Sequence, residues 1–292
     1  MALGISLSLV AAMAHSGSFI LRKRGLEKVD YKLFIAIRLT LGLLIITALL
    51  WSVGAGLSGL NIHQALPFIV TGIIGNVFGL IATTKAIHEI GASRTHALAS
   101  ASPLITAFLE VYFLGANFTP RLLAGLSAIV FGAGLLSYRL HSGKDNKSVG
   151  RPLLGFGLAI YTTFAVGIFT VLQKYGLQLG ATPLQGLFVR FFTAFALYGA
   201  YLAVSRSEFE FNGMNNSQDF VLASLMLTVS TILSLFAMTK LSATLVAGLM
   251  RAAPIFTVGL TAITLKGIEE VDWQTFVIAA LIVAGAILAI TG

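Results

Sequence analysis

The sequence predicts an all-α membrane protein with ten transmembrane helices arranged as two inverted five-helix repeats. Three observations predict this class. Of 292 residues, 57% are hydrophobic and only 10% charged, against about 25% charged in a soluble domain. Too few charges remain to cover a water-facing surface, and the mean hydropathy is +0.92. The apolar residues fall into closely spaced runs, each long enough to cross a bilayer at about 20 residues. Finally, the chain partly overlays itself when shifted by 151 residues.

The runs lie near 2–22, 31–53, 64–88, 93–115, 119–139, 152–175, 182–205, 218–239, 242–266 and 272–291. Helices are the spanning element, because an unpaired backbone group in hydrocarbon costs several kcal/mol. Turn breakers such as LEKVD, GASR, NFTP, LGATP and IEEVD separate the runs. Small residues, as in GLIATTKA and SATLVAGL, let helices approach closely in lipid. The first run is followed, not preceded, by RKRG, so it reads as a span and not as a signal peptide. The longest polar connections are His141 to Pro152 and Arg206 to Asp219.

At the 151-residue shift, Ala86 falls on Ala237, Ala101 on Ala252, Pro103 on Pro254, Thr106 on Thr257 and Gly134 on Gly285. Lys23 and Gly25 fall on Lys174 and Gly176, and Arg38 meets Arg190 with one extra residue of shift. The paired prolines and arginines exceed what apolar helices match by chance. The reading is a first repeat over 1–140, a linker over 141–151 and a second repeat over 152–292. Five spans per half is an odd number, so the second half enters the membrane from the opposite side, a layout that puts a site near the midplane.

The motif order AHSGSF, IRLTLG, ASPLITAFLEVYFLG and IVFGAGLL, echoed by VRFFTAF, AAPIFTVGLTAITLKG and LIVAGAIL, resembles the drug/metabolite transporter superfamily, in particular its EamA-type branch. The resemblance covers nearly the whole chain and implies a ten-helix transporter fold, without naming a solute. His15-Ser16-Gly17-Ser18 stands where the family often has Trp-Gly before a small polar residue. Asn117 stands near the place of an acid that commonly follows the fourth helix, with Glu269 and Glu270 there in the second half.

Several polar groups interrupt the apolar runs. Arg38 and Arg190 are each well inside a span, where an arginine costs about 2.5–3.5 kcal/mol on insertion scales. Each either snorkels to the interface or faces a wet cavity and meets an anion. Arg251 is deeper, three residues before Pro254, and its repeat partner is Ser100. His15 reads as a packing residue, a ligand or a proton carrier, and His96 is nearer a span end. Asn76 glues helices or lines the path, and Tyr161 with Thr162 and Thr163 offers hydroxyls from the repeat counterpart of the first span. The Thr228 to Ser234 segment is the repeat counterpart of the Asn76 region. Glu110 is the most deeply placed acid, a candidate for an ion pair, proton coupling or the interface. Three intramembrane arginines against one glutamate favour a solute bearing a negative group, held strongly enough that exchange is expected.

The expected function is a secondary transporter of a small organic metabolite, an amino acid or other carboxylate, working by alternating access. Substrate-binding candidates are His15, Arg38, Asn76, Tyr161, Arg190 and Arg251. The alternatives are an exchanger of phosphorylated metabolites or a magnesium-like cation path. The opening GISLSLVAAMAHSGSFILRKRGL is similar to magnesium-transporter relatives in the same superfamily, but the buried sign is positive. An enzyme is not expected. HExxH, GxSxG and GxxxxGK[ST] are missing, HEIGA at His88 lacks the second histidine, and the only Asp residues in the runs, Asp219 and Asp272, stand at their first two positions. No cofactor, metal or nucleic acid is expected. The partners are the solute and lipid, the state monomer or homodimer, and the place a bacterial inner membrane. Thirteen loop cations on one face against three on the other put both termini outside by the positive-inside rule, against the family's usual drawing with both termini inside.

Overall fold

The computed structural model describes residues 1–26, 31–54, 56–90, 95, 98–142, 151–205, 218–253, 256 and 273–291. Most of the central linker (143–150), the loop 206–217, His96, Pro254, and Glu269 with Glu270 lie outside the described residues. Among those described, the regular structure is helical throughout: α1 Ala2–Leu26, α2 Tyr31–Ser52, α3 Ile62–Thr71, a π-helical segment Gly72–Gly79, α4 Leu80–Ile90, α5 Ser102–Leu114, α6 Pro120–Ser142, α7 Pro152–Gln178, α8 Pro183–Ser205, α9 Gln218–Met238, α10 Ala243–Met250 and α11 Trp273–Thr291.

Local chemistry sets the ends. Pro120, Pro152 and Pro183 open three helices, where the missing N–H leaves no bond unmade. Asn61 and Gln64 form a reciprocal capping box at α3, with Asn61 Oδ1 accepting from Gln64 N at 3.0 Å and Gln64 Oε1 from Asn61 N at 3.1 Å. Gln64 Nε2 then donates to Leu179 O at 2.8 Å, tying the start of α3 to the end of α7. Gly115, at φ +64°, closes α5 in the left-handed region.

Among the described residues, five stretches are long and apolar enough to cross a membrane: Lys32–Ser52, Ile62–Ala86, Pro152–Gln178, Pro183–Val204 and Gln218–Met238. Large apolar side chains such as Phe108, Tyr112 and Phe131 stand more than two-thirds exposed on the outer surface. That surface suits hydrocarbon and not water, and the protein is a multi-pass membrane protein.

The main packing runs between the two halves. α1 lies on α9, α2 on α8, α6 on α11, and α7 runs along α3, α4 and α5. Exchange the halves and the pattern maps onto itself: α1 on α9 answers α7 on α3 and α4, and α1 on α10 answers α7 on α5. One core contains Ile35, Leu39 and Phe68 of the first half with Leu187, Phe191 and Leu249 of the second.

Glycines allow the tightest approaches. Phe68 is fully buried between α7 and α8, and a Cβ on Gly176 or Gly186 would come within 2.4 Å of its ring. Gly125 and Gly285 bring the backbones of α6 and α11 together, each Cβ position lying under 3 Å from the other's carbonyl. A Gly176→Val substitution is expected to cost about 1–3 kcal/mol by overpacking, seen as a lower thermal midpoint in detergent. An unchanged midpoint would show that Phe68 yields at no cost.

Candidate functional site

A cavity of about 320 Å³ opens between the halves, walled by side chains of both. Its outline begins with two broken spans. In the first half the chain makes a turn at Ser100 and Ala101 before α5 resumes at Ser102. In the second, α10 ends at Met250 and the chain turns at Arg251 and Ala252. The breaks sit at repeat-equivalent positions, down to matching bonds: Ala101 N donates to Leu98 O at 3.1 Å and Ala252 N to Leu249 O at 3.0 Å. Irregular backbone at membrane depth is tolerated where it lines a cavity, and Ser100, Arg251 and Ala253 all reach this one.

The breaks are held by their neighbours. Ser16 Oγ on α1 donates to Ala253 O at 2.9 Å, and Arg251 Nη2 donates to Ser102 Oγ across the halves at 2.6 Å. Gly167 on α7, the repeat partner of Ser16, passes close to Ser102 O.

The π-helical segment is the third feature of the wall. A π turn inserts an extra residue into the helix and often marks a functional position. Here it presents Asn76, buried, toward α8. Arg190 donates to Asn76 Oδ1 from Nε at 3.2 Å and from Nη2 at 2.6 Å, and from Nη1 to Gln173 Oε1 at 3.1 Å. Its guanidinium lies 5.1 Å above the Phe169 ring. Gly72 lets the segment approach α8, since a Cβ there would meet Arg190 O at 2.7 Å.

Arg38 is differently served. It is only 5% exposed, lies 5.6 Å over the Phe191 ring and lines the cavity, and among the described residues its Nη1 has no hydrogen-bond partner. The repeat explains the difference. Gln173, a ligand of Arg190, corresponds at 151 residues to Arg22, and Asn76 corresponds to the Leu227–Thr228 step. The acceptors that serve Arg190 are thus replaced around Arg38 by a leucine, a threonine and another cation. Arg22 lines the same cavity, with its guanidinium 5.6 Å above the Phe34 ring, one turn from Arg38.

Of the candidates named from sequence, His15, Arg38, Asn76, Arg190 and Arg251 share this one cavity wall. Tyr161 does not join them. The α7 stripe facing the cavity is Thr162, Ala165, Val166, Phe169, Thr170 and Gln173, at helical spacing. Tyr161 sits about 100° of helix rotation from Thr162 and is 41% exposed on the outer surface.

Glu110 is placed away from the cavity wall. Its carboxylate accepts from Ala243 N and Thr244 N, both at 2.8 Å, and so caps the start of α10. Lys174 Nζ clamps the other side of the same turn, donating to Met238 O at 2.7 Å and Leu241 O at 2.8 Å. Cation at a helix C-terminus and anion at an N-terminus both oppose the helix dipoles. Glu110→Ala is expected to leave two buried amide groups unpaired, at about 1–3 kcal/mol each. A fall in the melting midpoint would report it; a variant as stable as the wild type would refute the capping role.

Sequence reasoning missed Arg22, Phe169 and Gln173. Arg22 reads as a loop cation because it begins the RKRG cluster, yet α1 continues to Leu26. The repeat register held the signal, since it lays Arg22 on Gln173, inside the sixth run.

This is a helical multi-pass membrane protein with a cavity, largely apolar and studded with arginines, between its two halves. The family model described as "EamA-like transporter family" matches the chain twice, over residues 2–138 and 153–291, and the chain belongs to that family. A solved structure described as "Crystal structure of protein" superposes with a TM-score of 0.79 over 97% of this chain and 96% of that chain, at 18% identity, and shares the fold. No curated protein sequence matches.

Proposed function

We propose that the protein is a secondary transporter of a small organic carboxylate, working by alternating access between two five-helix repeats of opposite insertion. Family membership supports the transporter class. The exchange symmetry of the packing and the odd number of spans read per half support the inverted layout. The observation that carries the solute class is Arg38, which lines the cavity and whose buried Nη1 has no hydrogen-bond partner among the described residues. A buried guanidinium donor without an acceptor is costly, and a carboxylate satisfies it with matched geometry.

The walls strengthen the reading. Arg22, Arg38, Arg190 and Arg251 line the cavity, and no acidic residue is among its described lining. A carboxylate without an ammonium group therefore fits better than a zwitterionic amino acid, whose cation would meet only like charge. The same surplus opposes a magnesium path, which would need oxygen-rich, negative ligands.

The test is counterflow in proteoliposomes with a panel of labelled monocarboxylates, dicarboxylates, amino acids, phosphate esters and Mg²⁺. Saturable counterflow of a carboxylate supports the proposal. Transport confined to Mg²⁺ or neutral solutes would reject it.

A further inference from the structure

Among the described residues, the buried side-chain atoms without a hydrogen-bond partner are Arg38 Nη1, Asn76 Nδ2, Ser224 Oγ and Thr244 Oγ1. Of these residues only Arg38 and Asn76 line the cavity, and both unpaired atoms are donors. Asn76 is 4% exposed, and the orientation of its amide follows from chemistry. A guanidinium has donors and no acceptor, so the oxygen of Asn76 is the atom that takes two bonds from Arg190. Its nitrogen is thereby left for another partner. The two residues stand on consecutive positions of α8: Asn76 bonds Arg190, and Arg38 lies over Phe191. The hydroxyl protons of the wall are spent elsewhere. Thr83, Thr162, Thr170, Ser230, Thr231 and Ser234 each donate to a backbone carbonyl.

We propose that Asn76 is a solute-binding residue and that the solute is an oxo acid, its carboxylate met by Arg38 and a carbonyl oxygen on its carbon chain met by Asn76 Nδ2. This rests on the carboxylate-transporter reading above. A carbonyl answers a donor and brings no proton that would need an acceptor of its own. Nδ2 is covered in this arrangement of the halves, so the contact forms as they rearrange in alternating access. The π turn gives Asn76 its place in the wall, and Arg190 keeps the amide from turning its oxygen toward the solute, where it would repel another oxygen.

The experiment compares each oxo acid with the plain acid of the same chain length: pyruvate with propionate, 4-oxopentanoate with pentanoate and 5-oxohexanoate with hexanoate. They are tested as competitors of carboxylate counterflow and as stabilisers of the purified protein. At least one oxo acid is expected to bind about fivefold or more tighter than its plain partner, the gain from one buried donor satisfied, and the best pair identifies the spacing. Asn76→Asp retains an oxygen for Arg190 and replaces the donor with an acceptor. Its added charge acts alike on both members of a pair, since each bears one carboxylate, so the ratio within a pair isolates the lost donor. That ratio is expected to fall to about one or below; an amide that only served Arg190 would leave it unchanged. If the wild type prefers no oxo acid, or if the preference survives in Asn76→Asp, the inference is overturned and the carboxylate reading stands. If neither the oxo acids, the plain acids nor any other carboxylate binds, the carboxylate reading itself falls. The comparison on the wild type needs no variant, so a misfolded Asn76→Asp protein leaves it decisive.

Discussion

Arg38→Leu protein is expected to melt at a higher temperature than the wild type and to transport its carboxylate at least about 30-fold more slowly. The two effects have one cause. The Arg38 guanidinium is buried, bears a charge and has, among the described residues, a donor with no acceptor. Removing such a group and filling its volume with leucine relieves a desolvation cost that the Phe191 ring repays only in part. On the proposed reading a carboxylate supplies the acceptor, and losing a desolvated charge pair costs about 2–5 kcal/mol, which is roughly 30-fold or more. A gain in stability with a loss of function is the pattern of a group retained for activity against the interest of the fold. Detergent melting curves and initial counterflow rates on the same preparation measure both. A variant that melts lower and transports as well as the wild type would mean that Arg38 stabilises the fold and does not meet the solute.

The all-helical, two-repeat membrane fold was readable because it depends on quantities that sequence states directly. Run length and missing charge require lipid, and the 151-residue overlay finds the repeat because Pro103 with Pro254 and Arg38 with Arg190 are costly in an apolar helix and do not recur by chance. The breaks in the fourth and ninth spans were visible only as those prolines. The turns themselves come two and three residues earlier, at Ser100–Ala101 and Arg251–Ala252, where the helical bond pattern tightens before the missing N–H. Arg251 was found because it is deep, and it belongs to the break. The π-helical segment around Asn76 was hidden, since no residue type marks an inserted turn; the small residues of GIIGNVFGL showed only that a close approach was possible.

The side chains were harder to place than the spans. Asking how deep a residue lies finds arginines, but cannot tell which face a helix turns inward. That is why Tyr161 was named and its neighbour Thr162 lines the cavity. The same limit separates Arg38 from Arg190. The repeat predicts equivalent arginines, whereas their surroundings differ at Gln173 against Arg22 and at Asn76 against Leu227–Thr228. Reading the repeat for its mismatches as well as its identities would have shown the asymmetry. Glu110 illustrates the reverse case: a deep acid suggests an ion pair, proton coupling or the interface, and its place on α5 beside the start of α10 gives it two amide partners.

Asn76 separates structure from electrostatics at the other arginine. Its single oxygen receives two bonds from Arg190, so Asn76→Leu leaves a buried cation short of an acceptor. At about 1.5–3 kcal/mol for a hydrogen bond to a charged group, loss of the pair is expected to cost roughly 3 kcal/mol, or a fall of about 6–10 °C in the melting midpoint. Asn76→Asp keeps an acceptor in the same place and adds a negative charge. It is expected to fold at least as well as Asn76→Leu folds badly, because the oxygen is now an anion paired with Arg190 and bonded in the same geometry. It also removes one unit of the cavity's positive surplus, so anion affinity is expected to fall by about tenfold. If Asn76→Asp were stable and transported carboxylates at the wild-type rate and affinity, the net charge of the cavity would not set its preference for anions, and contacts at Arg38 and Arg251 alone would have to explain it.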